Sequence, residues 1–158
     1  MLLKGLIDEG FTNYKLPSMF LIFPHCNFKC CLEAGNNICQ NMDIVKEPTI
    51  DVGVDDLIKR YLNNPITKAI VCGGLEPFDS FEELKEFIST LRWNYSCCDP
   101  IVIYTGYNAE EILDEVFSLS KFVNIIVKFG RFIPDQKEHF DKVLGVNLAS
   151  DNQYAVEL

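Results

Sequence analysis

Four short apolar runs punctuate the chain: Ser18 to Phe23, Ala69 to Cys72, Ile101 to Thr105 and Val123 to Val127. Each is rich in branched side chains, which predicts buried strands. Between them, Val54 to Tyr61, Phe81 to Leu91 and Ala109 to Phe117 carry the spacing of amphipathic helices. Ser80 with Glu83, and Asn108 with Glu111, set a capping side chain three residues ahead of a carboxylate, a start signal for two of these helices. Strand and helix in alternation predict an α/β fold with a mostly parallel sheet and right-handed crossovers. In such a sheet the chemistry gathers on the loops that follow the carboxyl ends of the strands. There is no internal repeat, low-complexity segment or linker-like tract, so residues 1–158 read as a single domain.

With 158 residues, 48% of them hydrophobic and 23% charged, the chain is long enough for one cored domain and short for two. Its 23 acids against 14 bases give a net charge of -9, which argues against nucleic acid or an anionic membrane as a partner. The longest apolar run, Met19 to Pro24, is far below the roughly 20 residues needed to span a bilayer. The start, Met1-Leu2-Leu3-Lys4-Gly5, lacks the pattern of a secretory signal. The expectation is a cytoplasmic protein whose partners are small molecules or another protein.

In a reducing compartment an odd set of seven cysteines is a poor disulfide framework. Four of them fall between Cys26 and Cys39, which points to a metal or a cluster. Thiolates are soft ligands for iron–sulfur clusters and for zinc. Structural zinc sites usually pair their ligands as C-x2-C, whereas Cys26 and Cys30 are separated by three residues and no second pair follows at a conventional distance. Three thiolates on a cubane leave one iron open for a substrate. A zinc knuckle of Cys26, Cys30, Cys31 and Cys39 is the competing reading.

After the second strand comes Gly73-Gly74-Leu75-Glu76-Pro77. Paired glycines let the backbone approach a ligand, and a neighbouring carboxylate accepts from an ammonium. A tight strand-to-helix turn would use the same residues. Tyr104 and Thr105, at a strand end, are candidates for the ligand face. Cys72, Phe78, Phe81, Phe87 and Trp93 read as core, Cys97-Cys98 as structural or incidental, His25 as a turn residue and His139 as solvated. The pairs Glu82-Glu83 and Glu110-Glu111 read as helix-start charges.

The segment from Cys26 to Cys30, Cys-Asn-Phe-Lys-Cys, resembles the first half of the radical S-adenosylmethionine signature, and Ile38-Cys39-Gln40-Asn41 resembles its second half. Here eight residues separate Cys30 from Cys39 where the usual form has two, so the third ligand is Cys39 beyond an insertion, with Cys31 as its rival. Gly73-Gly74-Leu75-Glu76-Pro77 is similar to the family's Gly-Gly-Glu-Pro segment, with Leu75 added. Tyr104-Thr105-Gly106-Tyr107, Gly130-Arg131-Phe132 and the tail from Gly145 to Gln153 resemble a small branch, the activating proteins of anaerobic ribonucleotide reductase. Lys128-Phe129 stands where those relatives often have an acid, so no ribose contact is carried over.

The resemblance implies an open, partial (β/α) barrel of the radical S-adenosylmethionine type. It implies a 4Fe-4S cluster on Cys26, Cys30 and Cys39, with S-adenosyl-L-methionine held by Gly73, Gly74, Glu76, Ile38, Tyr104 and Thr105. It further implies a glycyl radical enzyme as partner, the large subunit of anaerobic ribonucleotide reductase, and a low-potential electron donor. Two other readings stay open: a minimal radical enzyme acting on a small molecule or another protein, and a non-catalytic zinc or iron–sulfur module.

Overall fold

In a computed structural model that describes residues 1–158, all four apolar runs are strands of one sheet. In chain order the elements are β1 (Leu2–Leu3), β2 (Gly5–Gly10), β3 (Ser18–Phe23), α1 (Lys29–Ala34), α2 (Met42–Lys46), β4 (Ile50–Asp51) and α3 (Val54–Leu62). Then come β5 (Ala69–Gly74), α4 (Phe81–Trp93), β6 (Ile101–Tyr104), α5 (Leu113–Leu119), β7 (Ile125–Phe129), β8 (His139–Asp141), β9 (Val146–Leu148) and β10 (Tyr154–Glu157). Short 3-10 turns at Pro77–Ser80 and Ala109–Glu111 precede α4 and α5.

The six-stranded sheet has the order β10-β7-β6-β5-β3-β2. Its four middle strands are parallel and stand side by side in chain order, while β2 and β10 run antiparallel on the two edges. The edges do not meet, so no barrel closes, as expected of too few strand–helix units.

The two faces of the sheet differ. Strand residues alternate sides, and Met19, Leu21, Phe23, Ile70, Cys72, Ile101, Ile103, Ile125 and Val127 pack against Leu57, Ile58, Leu84, Phe87, Ile88, Leu91 and Leu119 of the three crossover helices. Burying each such side chain fully contributes about 1.5–3 kcal/mol, so this layer holds the sheet rigid. On the opposite face Ala69, Val71, Val102 and Ile126 form a smaller cluster with Tyr14, Leu144 and Leu148, from the loop after β2 and the β8–β9 hairpin. That smaller cover leaves the carboxyl ends of the parallel strands open on this side.

Several expectations are corrected. Strand β7 begins at Ile125, two residues after the expected Val123, because Asn124 adopts φ 55 and Val123 is exposed; asparagine tolerates the left-handed region that ends extended structure. The expected helix Ala109 to Phe117 is broken at Ile112, which turns into the core at φ -137 and separates the 3-10 turn from α5. Ser80 makes no capping bond, and Glu83 accepts instead from the Leu2 amide at 3.2 Å. The turn ahead of α4 is capped by Glu76, two residues before Phe78, with Pro77 leading. Trp93 is 73% exposed and lies against Phe122 at the surface rather than in the core. No helix is long and apolar enough to cross a membrane.

Candidate metal centre

The loop after β3 turns back over the strand ends, and its first three polar ties explain where Cys26 stands. The Glu76 amide donates to His25 O at 2.7 Å, and the Asn27 amide donates to Asp79 Oδ2 at 2.7 Å. The Asn27 side chain also donates to Tyr107 Oη, whose own proton goes to Asp79 Oδ1 at 2.7 Å. Phe28 takes φ 55, and its amide donates to Cys26 Sγ at 3.3 Å as α1 begins. Farther on, Asn41 Nδ2 donates to Gly74 O at 2.6 Å, which fastens the Cys39 end of the loop to the end of β5.

These ties bring the predicted residues to one cavity of about 400 Å³ on the open face of the sheet. Cys26, Cys30, Cys39, Ile38, Gly74, Glu76, Tyr104 and Thr105 all line it. Gly73 does not; a Cβ there would meet the Phe20 ring at 3.1 Å and Tyr104 Cβ at 3.4 Å, so its role is to let β5 lie close to its neighbours. Gly74 has φ +87, and a Cβ there would fall 2.5 Å from Ile22 Cγ2, so only glycine fits. Cys31 points elsewhere. Its Sγ lies 3.7 Å from Asn37 Oδ1 on a separate surface groove, because adjacent positions on a helix face different directions. No three His, Cys, Asp or Glu side chains gather tightly enough for a single metal ion; the three thiols are spread around the cavity wall.

Glu76 sits at the centre of the polar wall, 6% exposed. Its Oε1 accepts from Thr105 Oγ1 at 2.8 Å and from the Phe78 amide at 3.1 Å, and its Oε2 accepts from the Gly106 amide at 2.8 Å. Burial raises its pKa to about 7 despite these three donors. Across from it, Lys128 is equally buried and donates to Gly130 O at 2.8 Å; burial lowers its pKa to about 8, opposed by the charge of Glu76. Burial also pushes the Cys26 thiol up to about 12 and raises Cys30. Neutral thiols are thus preferred until a cation arrives, and metal binding here must release protons.

Two residues at the cavity escaped the sequence reading. Lys128 is a charged residue inside an apolar strand, on the inward side, which is the signal that could have found it. Gly106 leaves a cradle for the thiol: a Cβ there would lie 3.1 Å from Cys30 Sγ and 3.6 Å from Glu76 Oε2. Glu111 is also more than a helix-start charge. Arg131 and Lys29 both pair with it, and the Arg131 fork holds its carboxyl well below the usual range.

Three soft donors bordering one cavity, a glycine beside the Cys30 thiol and a buried carboxylate suit an iron–sulfur group by the chemistry of the donors. No curated protein and no solved structure matches the chain. The family model described as a 4Fe-4S single cluster domain matches residues 17–154, from the start of β3 into β10, and so covers every residue of the cavity wall except those of the loop after β2. The chain therefore belongs to the 4Fe-4S single cluster domain family.

Proposed function

We propose that the protein is a radical S-adenosylmethionine enzyme in which Cys26, Cys30 and Cys39 hold a 4Fe-4S cluster with one iron free of protein ligands. A single observation carries the reading: those three thiols border one cavity together with Glu76, while Cys31, the possible fourth ligand, faces away on another surface. When bound, the cluster supplies the electron that cleaves the sulfonium of S-adenosylmethionine to methionine and a 5'-deoxyadenosyl radical.

The work of the chain is binding and exclusion. The uncommitted lone pair of Glu76 Oε2 receives the ligand's ammonium, with Thr105 and the Gly106 amide fixing the carboxylate. Gly74 admits the ligand close to the backbone, and Ile38, Tyr104 and Thr105 wall it from water. The target we favour is a backbone glycine of a large partner enzyme, namely anaerobic ribonucleotide reductase or a relative. An open sheet leaves the cavity reachable from the side, as entry of a protein loop requires.

The test is anaerobic reconstitution with iron and sulfide, then dithionite and S-adenosylmethionine, with 5'-deoxyadenosine measured. The proposal expects its release by the wild-type protein, loss of cluster and product in Cys39→Ala, and a retained cluster in Cys31→Ala. A normal cluster in Cys39→Ala would overturn the ligand set. Tight zinc and no product would return the non-catalytic module, and product without a glycyl radical on any reductase would return the minimal enzyme.

A further inference from the structure

Helix α1 carries Cys30 but has no buried residue, and from His25 to Ile50 no residue of the chain is fully buried. No fully buried side chain anchors this helix. Ion pairs tie it to the body. Lys29 and Glu33 are one turn apart on α1 and share a face. Lys29 Nζ pairs with Glu111 Oε1, and Glu33 Oε2 lies 3.0 Å from Arg131 Nε, an ion pair without a hydrogen bond. The circuit closes between the two body residues, where Arg131 Nη1 and Nη2 donate to Glu111 Oε2 and Oε1, both at 2.7 Å.

Arg131 is the fixed member of this circuit, 7% exposed and held from behind by the chain's tail. Asn152 Nδ2 donates to Arg131 O at 3.0 Å, and Gln153 Nε2 donates to Gly130 O at 3.2 Å. Gln153 Oε1 in turn accepts from the Ala149 and Ser150 amides. A Cβ at Gly130, φ +96, would lie 3.0 Å from Asn152 O, so only glycine lets the tail close on this stretch. The tail, the Gly-Arg-Phe stretch and the cysteine helix thus form one mechanical series.

We infer that Arg131 is a positioning residue for the cluster: clamped by the tail, it grips Glu111 with its fork and faces Glu33 of α1 with Nε, and so seats α1, fixes where Cys30 stands and brings a positive charge beside the cluster. The inference rests on Cys30 being a ligand. A partner of a metal ligand typically contributes about 10–100-fold in metal affinity.

The test uses Arg131→Met, Arg131→Lys and Glu33→Gln in the full chain. In the apoprotein, limited proteolysis between residues 25 and 50 is expected to run several-fold faster in Arg131→Met and Glu33→Gln than in wild type. After reconstitution, iron loss to a chelator is expected to be about tenfold faster in Arg131→Met. The midpoint potential should fall in Arg131→Met, which removes a positive charge, and stay near wild type in Arg131→Lys, which keeps the charge but not the fork. Should Arg131→Met fail to fold, Glu33→Gln decides, since Glu33 is half-exposed. Unchanged cleavage and iron loss in a folded variant, or one potential shared by Arg131→Met and Arg131→Lys but not by wild type, would overturn the inference. Failure of the ligand assignment is separate: wild type itself would then hold no cluster, while the apoprotein cleavage still reads the clamp.

Discussion

Glu76 is the residue whose environment makes the sharpest demands. Its carboxyl is raised from 4.5 to about 7 in the folded protein, so the folded state binds a proton that the unfolded chain has already lost. Stability from this group is therefore full below pH 4.5 and declines until about pH 7, by up to about 3 kcal/mol. Denaturant unfolding of the apoprotein at pH 5 and pH 7 should show that fall, and Glu76→Gln should flatten it; an equal slope in both proteins would refute the assignment. The same sign governs binding. A cationic ligand needs the ionised carboxylate, so affinity for S-adenosylmethionine should rise from pH 6 to pH 7.5 in the reconstituted protein and lose that rise in Glu76→Gln. At Gly106 the constraint is steric. With a Cβ only 3.1 Å from Cys30 Sγ, Gly106→Val should cut bound iron and sulfide sharply while circular dichroism stays native. Full cluster content in that variant would show that the cradle is not used.

At the scale of elements, the legible parts are those whose burial is two-sided. β3, β5 and β6 are continuous apolar runs because helices cover one face and a second core covers the other, and the sequence marks them within a residue or two. The β8–β9 hairpin and strands β2, β4 and β10 are short, partly exposed and mixed in polarity, and β1 is only two residues long, so no periodicity announces them. Helices α1 and α2 have no buried residue at all and leave no hydrophobic signature. Their place is set by Asn27, Lys29, Glu33 and Asn41, polar contacts between residues distant in sequence. For the same reason the choice of Cys39 over Cys31 rests on resemblance alone, and Arg131 carries no sequence signal of its place beside the cavity, whereas Lys128 does, as a charge at the end of an apolar strand. A physical consequence follows for the loop. With nothing buried, its order should depend on what the thiols bind. Hydrogen exchange of amides 25–50 should slow markedly on reconstitution while β5 and β6 change little; equal exchange in apo and reconstituted protein would contradict it.

Across the whole molecule, the division of labour lies between a rigid, helix-backed sheet and a polar strap that crosses its carboxyl ends. The sheet needs no cluster to fold, since its core of 22 buried residues contains none of the three thiols assigned to the cluster. The strap holds those thiols around a cavity that also contains Glu76 and Lys128. An open fourth iron is the claim on which the proposed chemistry depends. The direct measurement is the electron paramagnetic resonance spectrum of the dithionite-reduced, reconstituted protein before and after S-adenosylmethionine is added. A cluster signal whose g values shift on addition is the predicted result. A spectrum identical with and without S-adenosylmethionine would contradict the account.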